Sequence, residues 1–310
     1  MRNAFAAEIT RLGSELSELV LLSGDIGNRL FDEFKANHPD RFLNCGVAEA
    51  NMTGVAAGMA LCGLRPVTYT ITPFNTTRCL EQIRVDVCYQ NLPVTIVGVG
   101  SGLSYSELGG THQACEDIAL LRALPNMRVV CPADPWEARQ ALRAALAQDG
   151  PVYIRLGKKG EPVLHGEDDW FELGRGMELR QGRDVTILST GTVLGLALAT
   201  AEVLAGRGVS TQVVSLHTVK PLDVELLAWA FANRRVVITL EEHSLIGGLG
   251  GAVAEWLADA GPQRARLLRL GTPDAFAQHV GRQDQARASL GLEPGAMADK
   301  IQTVLRGTLS

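Results

Sequence analysis

The sequence lacks the features that mark membrane proteins, secreted proteins and nucleic-acid-binding proteins. No apolar run is long enough to span a bilayer, and the N-terminal residues M-R-N-A-F-A-A-E contain no apolar signal-peptide segment. The 34 acidic residues outnumber the 29 basic ones, which gives a net charge of −5 and no basic field for a nucleic acid. We therefore expect a cytoplasmic protein that binds neither a membrane nor a nucleic acid.

The motifs of several cofactor and metal sites are also missing. No predicted strand is followed by G-x-G-x-x-G, and there is no Walker loop. The cluster G-G-L-G-G at 247–251 lacks the spacing and the later acidic residue of a dinucleotide fingerprint, so we interpret it as close helix packing. The six cysteines include no C-x-x-C pair, which indicates thiols that pack as small hydrophobes and gives no support to a zinc site.

With 310 residues, the chain is too long for one ordinary hydrophobic core, so we expect two domains. In both halves, apolar strand-like runs alternate with helical segments at short spacing, which predicts doubly wound α/β domains with parallel sheets. We place one domain at residues 1–160, a polar, irregular linker at 161–180, and a smaller domain at 181–310. Strands are predicted at 19–22, 65–70, 94–99, 127–131, 151–156, 185–190, 211–216, 235–240 and 266–270. Residues 79–89 are predicted to be a helix, and residues 72–78 and 241–251 are predicted to be loops.

A single carboxylate stands in the stretch 44–63, N-C-G-V-A-E-A-N-M-T-G-V-A-A-G-M-A-L-C-G, which reads as a buried helix. Burying Glu49 without a partner would cost roughly 2–7 kcal/mol, so we expect it to be neutral or hydrogen-bonded. A neutral acid suits proton exchange with a ligand nitrogen, and the flanking glycines allow another surface to approach closely. The alternative is a carboxylate that only stabilises the N-terminus of its helix.

Two polar loops follow predicted strands. The first, S-G-D-I-G-N-R, offers Asp25, Asn28 and Arg29 as candidate substrate contacts, with plain turn chemistry as the alternative. The second is rich in glycine and ends in G-T-H-Q, which places His112 and Gln113 in the kind of loop that carries functional residues. The ordinary pKa of histidine, near 6.5, suits His112 for moving protons.

Five segments, taken in order, resemble the transketolase superfamily of thiamine-diphosphate enzymes. They are G-V-A-E-A-N-M around Glu49, G-T-H-Q at 110–113, D-I-A-L-L-R-A-L-P-N-M at 117–127, L-H-T-V-K-P-L-D at 216–223 and E-E-H-S-L-I-G-G-L-G-G at 241–251. The resemblance covers nearly the whole chain in the family's order. It implies a pyrimidine-binding transketolase-like domain followed by a transketolase C-terminal domain.

The resemblance implies roles for several of the residues named above. Glu49 would bond to a ring nitrogen of the cofactor's aminopyrimidine and favour the tautomer that forms the thiazolium ylid. Phe74 would stack on that ring, unless it is a core residue, and Ile71 would take the place of a second aromatic side chain. His112 would contact the reacting oxygen, with Gln113 beside it.

The resemblance also bears on residues outside that pocket. Arg155 matches an arginine that holds substrate phosphate, which the planar fork of its guanidinium suits, although an ion pair is an equal alternative. His217 and His243 lie in family-like segments of the second domain, and we interpret them as structural.

The sequence departs from the family pattern in two respects. Leu108 stands where the family has an aspartate that reads sugar hydroxyls, and Gly100 or a neighbour replaces a histidine that helps to bind acceptor phosphate. The family's Gly-Asp-Gly motif for Mg²⁺ and diphosphate is absent, because Gly-Asp-Ile-Gly-Asn at 24–28 does not match it. We therefore expect no metal site in this chain. A separate subunit would carry the diphosphate domain and Mg²⁺ in an α₂β₂ assembly.

Three functions stay open at this point. The first is the C-terminal subunit of a two-component transketolase-like enzyme that transfers a ketol unit between a ketose and an aldehyde. The second is a decarboxylating enzyme of the same cofactor, similar to a 2-oxo acid dehydrogenase β-subunit or to deoxyxylulose-phosphate synthase. The third is a catalytically silent regulatory subunit.

Overall fold

The computed structural model describes residues 1–27, 29–166, 169–278 and 281–307. Within these residues, the strands of the first half are β1 Leu19–Ser23, β2 Phe42–Asn44, β3 Arg65–Ile71, β4 Thr95–Val99, β5 Arg128–Val130 and β6 Val152–Leu156. The helices are α1 Arg2–Glu15, α2 Asp32–Asn37, α3 Glu49–Leu61, α4 Thr72–Asn75, α5 Leu80–Gln82, α6 Asp117–Arg122 and α7 Pro135–Leu146.

The first-half strands form one parallel sheet with helices on both faces. Their order is β5-β6-β4-β3-β1-β2, and all pair in parallel. Parallel sheets of this kind are covered on both sides, which is why β1, β4 and β6 are apolar runs that are buried along their whole length. Helices α1 and α7 cover one face, and α3 covers the other. The predicted doubly wound α/β fold of the first domain is confirmed.

The chain after β3 differs from the predicted loop at 72–78. It forms the short helix α4 and a 3₁₀ turn at Thr77–Cys79. The helix predicted at 79–89 is present as α5, which continues into a π-helical segment at Ile83–Cys88. The proline at the start of α4 fits a helical first turn, because its missing N–H is not needed there.

The second half forms its own five-stranded sheet with the order β12-β11-β8-β9-β7 within the described residues. Its strands are β7 Met177–Arg180, β8 Val185–Ser189, β9 Thr211–Ser215, β11 Val236–Ser244 and β12 Arg266–Thr272. Its helices are α8 Leu194–Ala205, α9 Val224–Asn233, α10 Leu249–Ala260, α11 Gln283–Ser289 and α12 Pro294–Arg306. The sheet is parallel except for β7, so the expectation of a second α/β domain is confirmed.

Several elements in this half differ from the prediction. The end of the predicted linker forms β7, which pairs antiparallel with β9. Strand β11 continues to Ser244, so the segment predicted as a loop from 241 begins as strand. Helices α11 and α12 were missed, although α12 buries Met297, Ala298, Ile301 and Leu305 along one face.

The two sheets are joined by more than a linker. Strand β10, Thr218–Lys220, belongs to the second half of the sequence but pairs antiparallel with β5 at the edge of the first sheet. One hydrophobic cluster contains side chains of both halves, including Ile118 and Leu121 together with Val214 and Phe231. The second domain is therefore packed onto the carboxyl-end loops of the first.

The cysteine prediction is confirmed at three positions. Cys79, Cys88 and Cys131 are buried free thiols, and burial raises the pKa to about 11 for Cys79 and Cys88 and to about 12 for Cys131. Cys62, by contrast, is an exposed thiol at the end of α3. In the described part of the chain, no helix combines the length and the apolar character that crossing a membrane requires.

Candidate active site

Glu49 is the first residue of helix α3, directly after the loop that follows β2. Its side chain is only 2% exposed, because α3 packs with Met52, Ala56 and Ala60 against the first sheet. The open N–H groups at the start of a helix favour a carboxylate in this position. The predicted burial of Glu49 on this helix is confirmed.

Arg78 contacts this carboxylate, which sequence reasoning did not foresee. Its Nη1 donates to Glu49 Oε2 at 2.8 Å, and its guanidinium carbon lies 4.1 Å from the ring centroid of Phe74. Of the two expected states of Glu49, neutral or hydrogen-bonded, the structure shows the hydrogen-bonded one, with a charged partner. The 3₁₀ turn that follows α4 brings Arg78 back over the ring of Phe74.

Phe74 and His112 come together although they lie on separate loops. Their ring centroids are 5.2 Å apart, with the rings at 69°, which is an edge-on contact. The Thr111 hydroxyl lies 2.9 Å from His112 Nδ1, and the Tyr105 ring is 6.2 Å from the imidazole. Both Phe74 and His112 are partly exposed, so this pair can meet a ligand.

The backbone beside Glu49 carries no side chain at Gly24. A Cβ built on Gly24 would lie 3.2 Å from Glu49 Cγ and 3.1 Å from Thr70 Oγ1. The Thr70 hydroxyl is buried and has no hydrogen-bond partner among the described residues. An unsatisfied hydroxyl and a buried carboxylate therefore lie on either side of the same glycine.

Asp25 and Ile71 lie close to this group. Asp25 follows Gly24, has a positive φ of 56° and accepts a hydrogen bond from Asn44 Nδ2 at 3.0 Å. Ile71 ends β3 directly before α4 and is partly buried. The structure therefore brings Glu49, Phe74, His112, Ile71 and Asp25 to the same end of the sheet.

Arg155 does not join this group. It is 2% exposed, and its Nε donates to Asp117 Oδ2 at 2.7 Å while its Nη2 donates to the carbonyl oxygens of Ala114 and Glu242. Although burial opposes the charge, Asp117 raises the pKa of Arg155. In this structure the guanidinium is used by a buried ion pair within the first domain, which favours the ion-pair alternative, and the phosphate contact stays a prediction.

Two further candidates, Arg29 and Gln113, also lie outside the group. Arg29 lies in an open groove with residues of α1, on the face of the sheet opposite α3. Gln113 is buried and faces the second domain, where it lines a cavity of about 20 Å³ with Thr272. Both lie away from Glu49, their substrate contacts stay predictions, and Asn28 lies outside the described residues.

The interpretation of His217 and His243 as structural agrees with their burial. His217 stacks on Phe171 at 4.1 Å between ring centroids, and burial lowers its pKa to about 3. His243 Nε2 accepts from the backbone N–H of Ala119 at 3.3 Å, and burial lowers its pKa to about 4. Both rings are fully buried where the two domains meet.

Comparison with known proteins identifies the family to which the two domains belong. Residues 1–161 match the family model of the transketolase pyrimidine-binding domain, and residues 174–297 match that of the transketolase C-terminal domain. The chain belongs to the transketolase family. The predicted family and the predicted order of its two domains are confirmed.

Two relatives of similar length are named as transketolase subunits. The chain is 39% identical over 293 residues to the 6-deoxy-6-sulfo-D-fructose transketolase subunit SqwH of Clostridium sp. strain MSTE9, covering 94% of this chain and 90% of that protein. It is 36% identical over 266 residues to an apulose-4-phosphate transketolase subunit of Actinobacillus succinogenes, covering 86% and 85%. A solved split-gene transketolase, described as an inactive beta4 tetramer, is 37% identical with a TM-score of 0.90 over 98% of both chains.

Proposed function

We propose that this chain is the pyrimidine-binding subunit of a two-component transketolase-like enzyme that transfers a ketol unit between a ketose and an aldehyde. Thiamine diphosphate would lie between this chain and a separate subunit that carries the diphosphate-binding domain and Mg²⁺. An α₂β₂ assembly follows the commonest closed symmetry of such complexes. The observation that carries the proposal is the buried carboxylate of Glu49 beside the partly exposed rings of Phe74 and His112.

The residues present fit the aminopyrimidine half of the cofactor. A flat ring with nitrogen donors needs a carboxylate in its plane and an apolar surface against its face, which Glu49 and Phe74 offer. The buried Thr70 hydroxyl, which has no hydrogen-bond partner among the described residues, lies beside Gly24 and Glu49. Ile71 lies at the base of α4, where an apolar side chain can cover the ring.

We assign the diphosphate and Mg²⁺ to the partner subunit, because this sequence lacks the family's Gly-Asp-Gly motif. Among the residues that the structure describes, no group of three or more histidine, cysteine, aspartate or glutamate side chains could hold a metal ion. Hard cations such as Mg²⁺ need several oxygen ligands in a near-octahedral arrangement. This supports the assignment of the metal to the partner subunit.

Each residue then has a defined task. Glu49 would share one proton with a ring nitrogen, donating it when the carboxyl holds it and accepting a hydrogen bond when the ring does, and Phe74 would pack against the ring face. His112, whose imidazole lies beside Phe74, donates or accepts a proton at the reacting oxygen of the substrate. When bound, the cofactor supplies a thiazolium carbon that acts as nucleophile and electron sink.

The substrate end of the site is less polar than the family pattern predicts. Leu108 is 49% exposed in the same 3₁₀ turn that leads to His112. With Arg155 buried in an ion pair, this chain offers Asp25 as a polar residue of the β1 loop at the same end of the sheet as Glu49. We therefore propose a ketose donor whose identity is read largely by other residues, including those of the partner.

The test is to reconstitute the chain with the protein encoded beside it and to measure ketol transfer with a panel of ketoses and aldehydes. Glu49→Gln should lower kcat by about 10²-fold or more, because a positioned acid contributes a factor of this size. Glu81→Gln, which changes an exposed glutamate paired with Arg84, is the matched control and should leave the rate unchanged.

Two outcomes would favour the other functions. Release of carbon dioxide from pyruvate, without ketol transfer, would indicate the decarboxylating enzyme. An active complex that tolerates Glu49→Gln would indicate a regulatory subunit. The cytoplasmic location stays a prediction.

A further inference from the structure

A planar cation lies on the two side chains that the proposed function assigns to the aminopyrimidine. Arg78 Nη1 donates to Glu49 Oε2 at 2.8 Å, and the guanidinium carbon lies 4.1 Å from the ring centroid of Phe74. We propose that Arg78 occupies the space beside the Glu49 carboxylate and the Phe74 ring, here called the pyrimidine seat, while no cofactor is bound. It would leave this space when the cofactor binds, and in this sense Arg78 is a placeholder. This inference rests on the proposed function.

The chemistry of the two groups supports their exchange. A guanidinium and an aminopyrimidine are both flat and conjugated, and both carry nitrogen donors in the plane. A guanidinium donates in its plane and stacks on aromatic faces through its own face. Arg78 uses both modes here, on Glu49 and on Phe74 respectively. A second flat group cannot bond to the same carboxylate oxygen and cover the same ring face until Arg78 moves.

The burial of the two partners indicates which one moves. The Glu49 side chain is 2% exposed and begins a packed helix, whereas the Arg78 side chain is 43% exposed. Arg155 shows what a fixed arginine looks like in this chain, because it is 2% exposed and bonds to Asp117 and two backbone carbonyls. Glu49 is the one carboxylate within ion-pair distance of Arg78 among the described residues, so Arg78 has few contacts to give up.

The placeholder has a physical purpose in a divided site. Without Arg78, the unassembled chain would hold the Glu49 carboxylate away from water with no charged partner, which is costly. With Arg78 in place, the carboxylate is neutralised, and the cofactor must displace a stacked ion pair before it binds. The affinity of the pyrimidine seat is thereby lowered until the assembled enzyme supplies its other contacts.

The test separates the seat from the rest of the cofactor site. The aminopyrimidine half of thiamine, as its free alcohol, is titrated into the isolated chain and into its Arg78→Ala and Arg78→Lys variants. Circular dichroism and thermal unfolding confirm that each variant is folded. Arg84→Ala is the matched control, because Arg84 pairs with exposed Glu81 and does not contact Glu49.

We expect Arg78→Ala to bind the aminopyrimidine about tenfold more tightly than the wild type, since one stacked ion pair no longer competes. Arg78→Lys, which keeps the charge but not the planar stack, should fall between the two, and Arg84→Ala should match the wild type. Guanidinium ion at non-denaturing concentration should weaken binding to Arg78→Ala by refilling the seat. Affinity that is unchanged or weaker in folded Arg78→Ala would overturn the inference, because Arg78 would then be a wall of the pocket.

A second titration distinguishes this failure from that of the proposed function. Thiamine diphosphate with Mg²⁺ is titrated into the complex reconstituted from the wild type or Arg78→Ala and the partner. The placeholder fails while the proposed function stands if both complexes bind the cofactor equally and the isolated Arg78→Ala chain binds the aminopyrimidine no more tightly than the wild type. If no complex binds it, the proposed function fails and the placeholder fails with it.

Discussion

Arg155 allows the sharpest separation between a structural role and a role in substrate binding. Its Nε and Nη2 bond to both oxygens of Asp117, whose side chain is 1% exposed, and the Tyr153 hydroxyl donates to the same carboxylate at 2.6 Å. Burial alone would raise the pKa of Asp117, but Arg155 and these hydrogen bonds hold it below its ordinary value. Arg155→Met removes the charge and keeps much of the apolar stem.

We expect this variant to lose about 3–5 kcal/mol of unfolding free energy, the usual result of removing one partner of a buried ion pair. An independent estimate agrees with this range. If Asp117 takes up a proton instead, protonating a group of ordinary pKa 3.9 at pH 7 costs about 4 kcal/mol. The variant also loses the bonds to the carbonyls of Ala114 and Glu242, and the bond to Glu242 joins the two domains.

The direction of the Asp117 pKa shift determines how the stability difference between the wild type and the variant changes with pH. In the wild type, the depressed pKa of Asp117 gives stability that is present above about pH 3.9, its unfolded value, and is lost as the pH falls through the folded value. In Arg155→Met, the unpaired carboxyl is easier to bury when protonated. The stability difference should therefore be largest near pH 7 and should shrink towards pH 4.

Urea unfolding of the isolated chain measures this difference, with Arg84→Met as the control for an exposed arginine. The double variant Arg155→Met with Asp117→Asn should recover part of the loss, since no charge is then left buried without a partner. The reasoning is refuted if Arg155→Met unfolds like the wild type while the reconstituted enzyme shows a raised KM for phosphorylated substrates. That result would restore the phosphate contact predicted from the sequence.

Two further predictions concern the interface between the domains and the loop that carries His112. Because the pKa of His217 is lowered to about 3, the unfolded chain binds a proton below about pH 6.5 that the folded chain does not bind. His217→Phe should therefore reduce the fall in stability between pH 6 and 4 by up to about 1.4 kcal/mol per pH unit, and an unchanged slope would argue against it. Gly102→Ala should destabilise the chain by more than the roughly 1–2 kcal/mol of a left-handed residue, because its Cβ would lie 2.8 Å from Glu242 Cγ at a φ of 60°. Gly63→Ala, at a φ of 87° at the end of α3 with open space around it, should show the backbone cost alone, and equal losses in urea unfolding would contradict the steric argument.

The fold could be predicted because its signals are local. Apolar runs such as β1 and β4 are short, fully buried and separated by helical segments, which is the pattern of a doubly wound sheet. The burial of Glu49 also followed from its sequence neighbours. Strand β10 could not be foreseen, because pairing with β5 is decided by contacts between two halves of the chain.

The residues of the site were predicted only in part, because some of its contacts join distant parts of the chain. Phe74 and His112 were placed by resemblance, and the structure brings their rings together. The Glu49–Arg78 pair joins residues 29 positions apart, and nothing in the sequence near Arg78 indicates its partner. For Arg155 the sequence left a phosphate contact and an ion pair open, because nothing in the residues around it indicates Asp117, 38 positions away, as its partner.

The most direct test of the account is calorimetric titration of thiamine diphosphate with Mg²⁺ into three samples. These are this chain alone, the partner encoded beside it, and their mixture. The account predicts tight binding to the mixture only, with one cofactor for each copy of this chain, because the pyrimidine seat and the diphosphate site lie on different subunits. Tight binding to this chain alone would contradict it, since the diphosphate and the metal would then be held here.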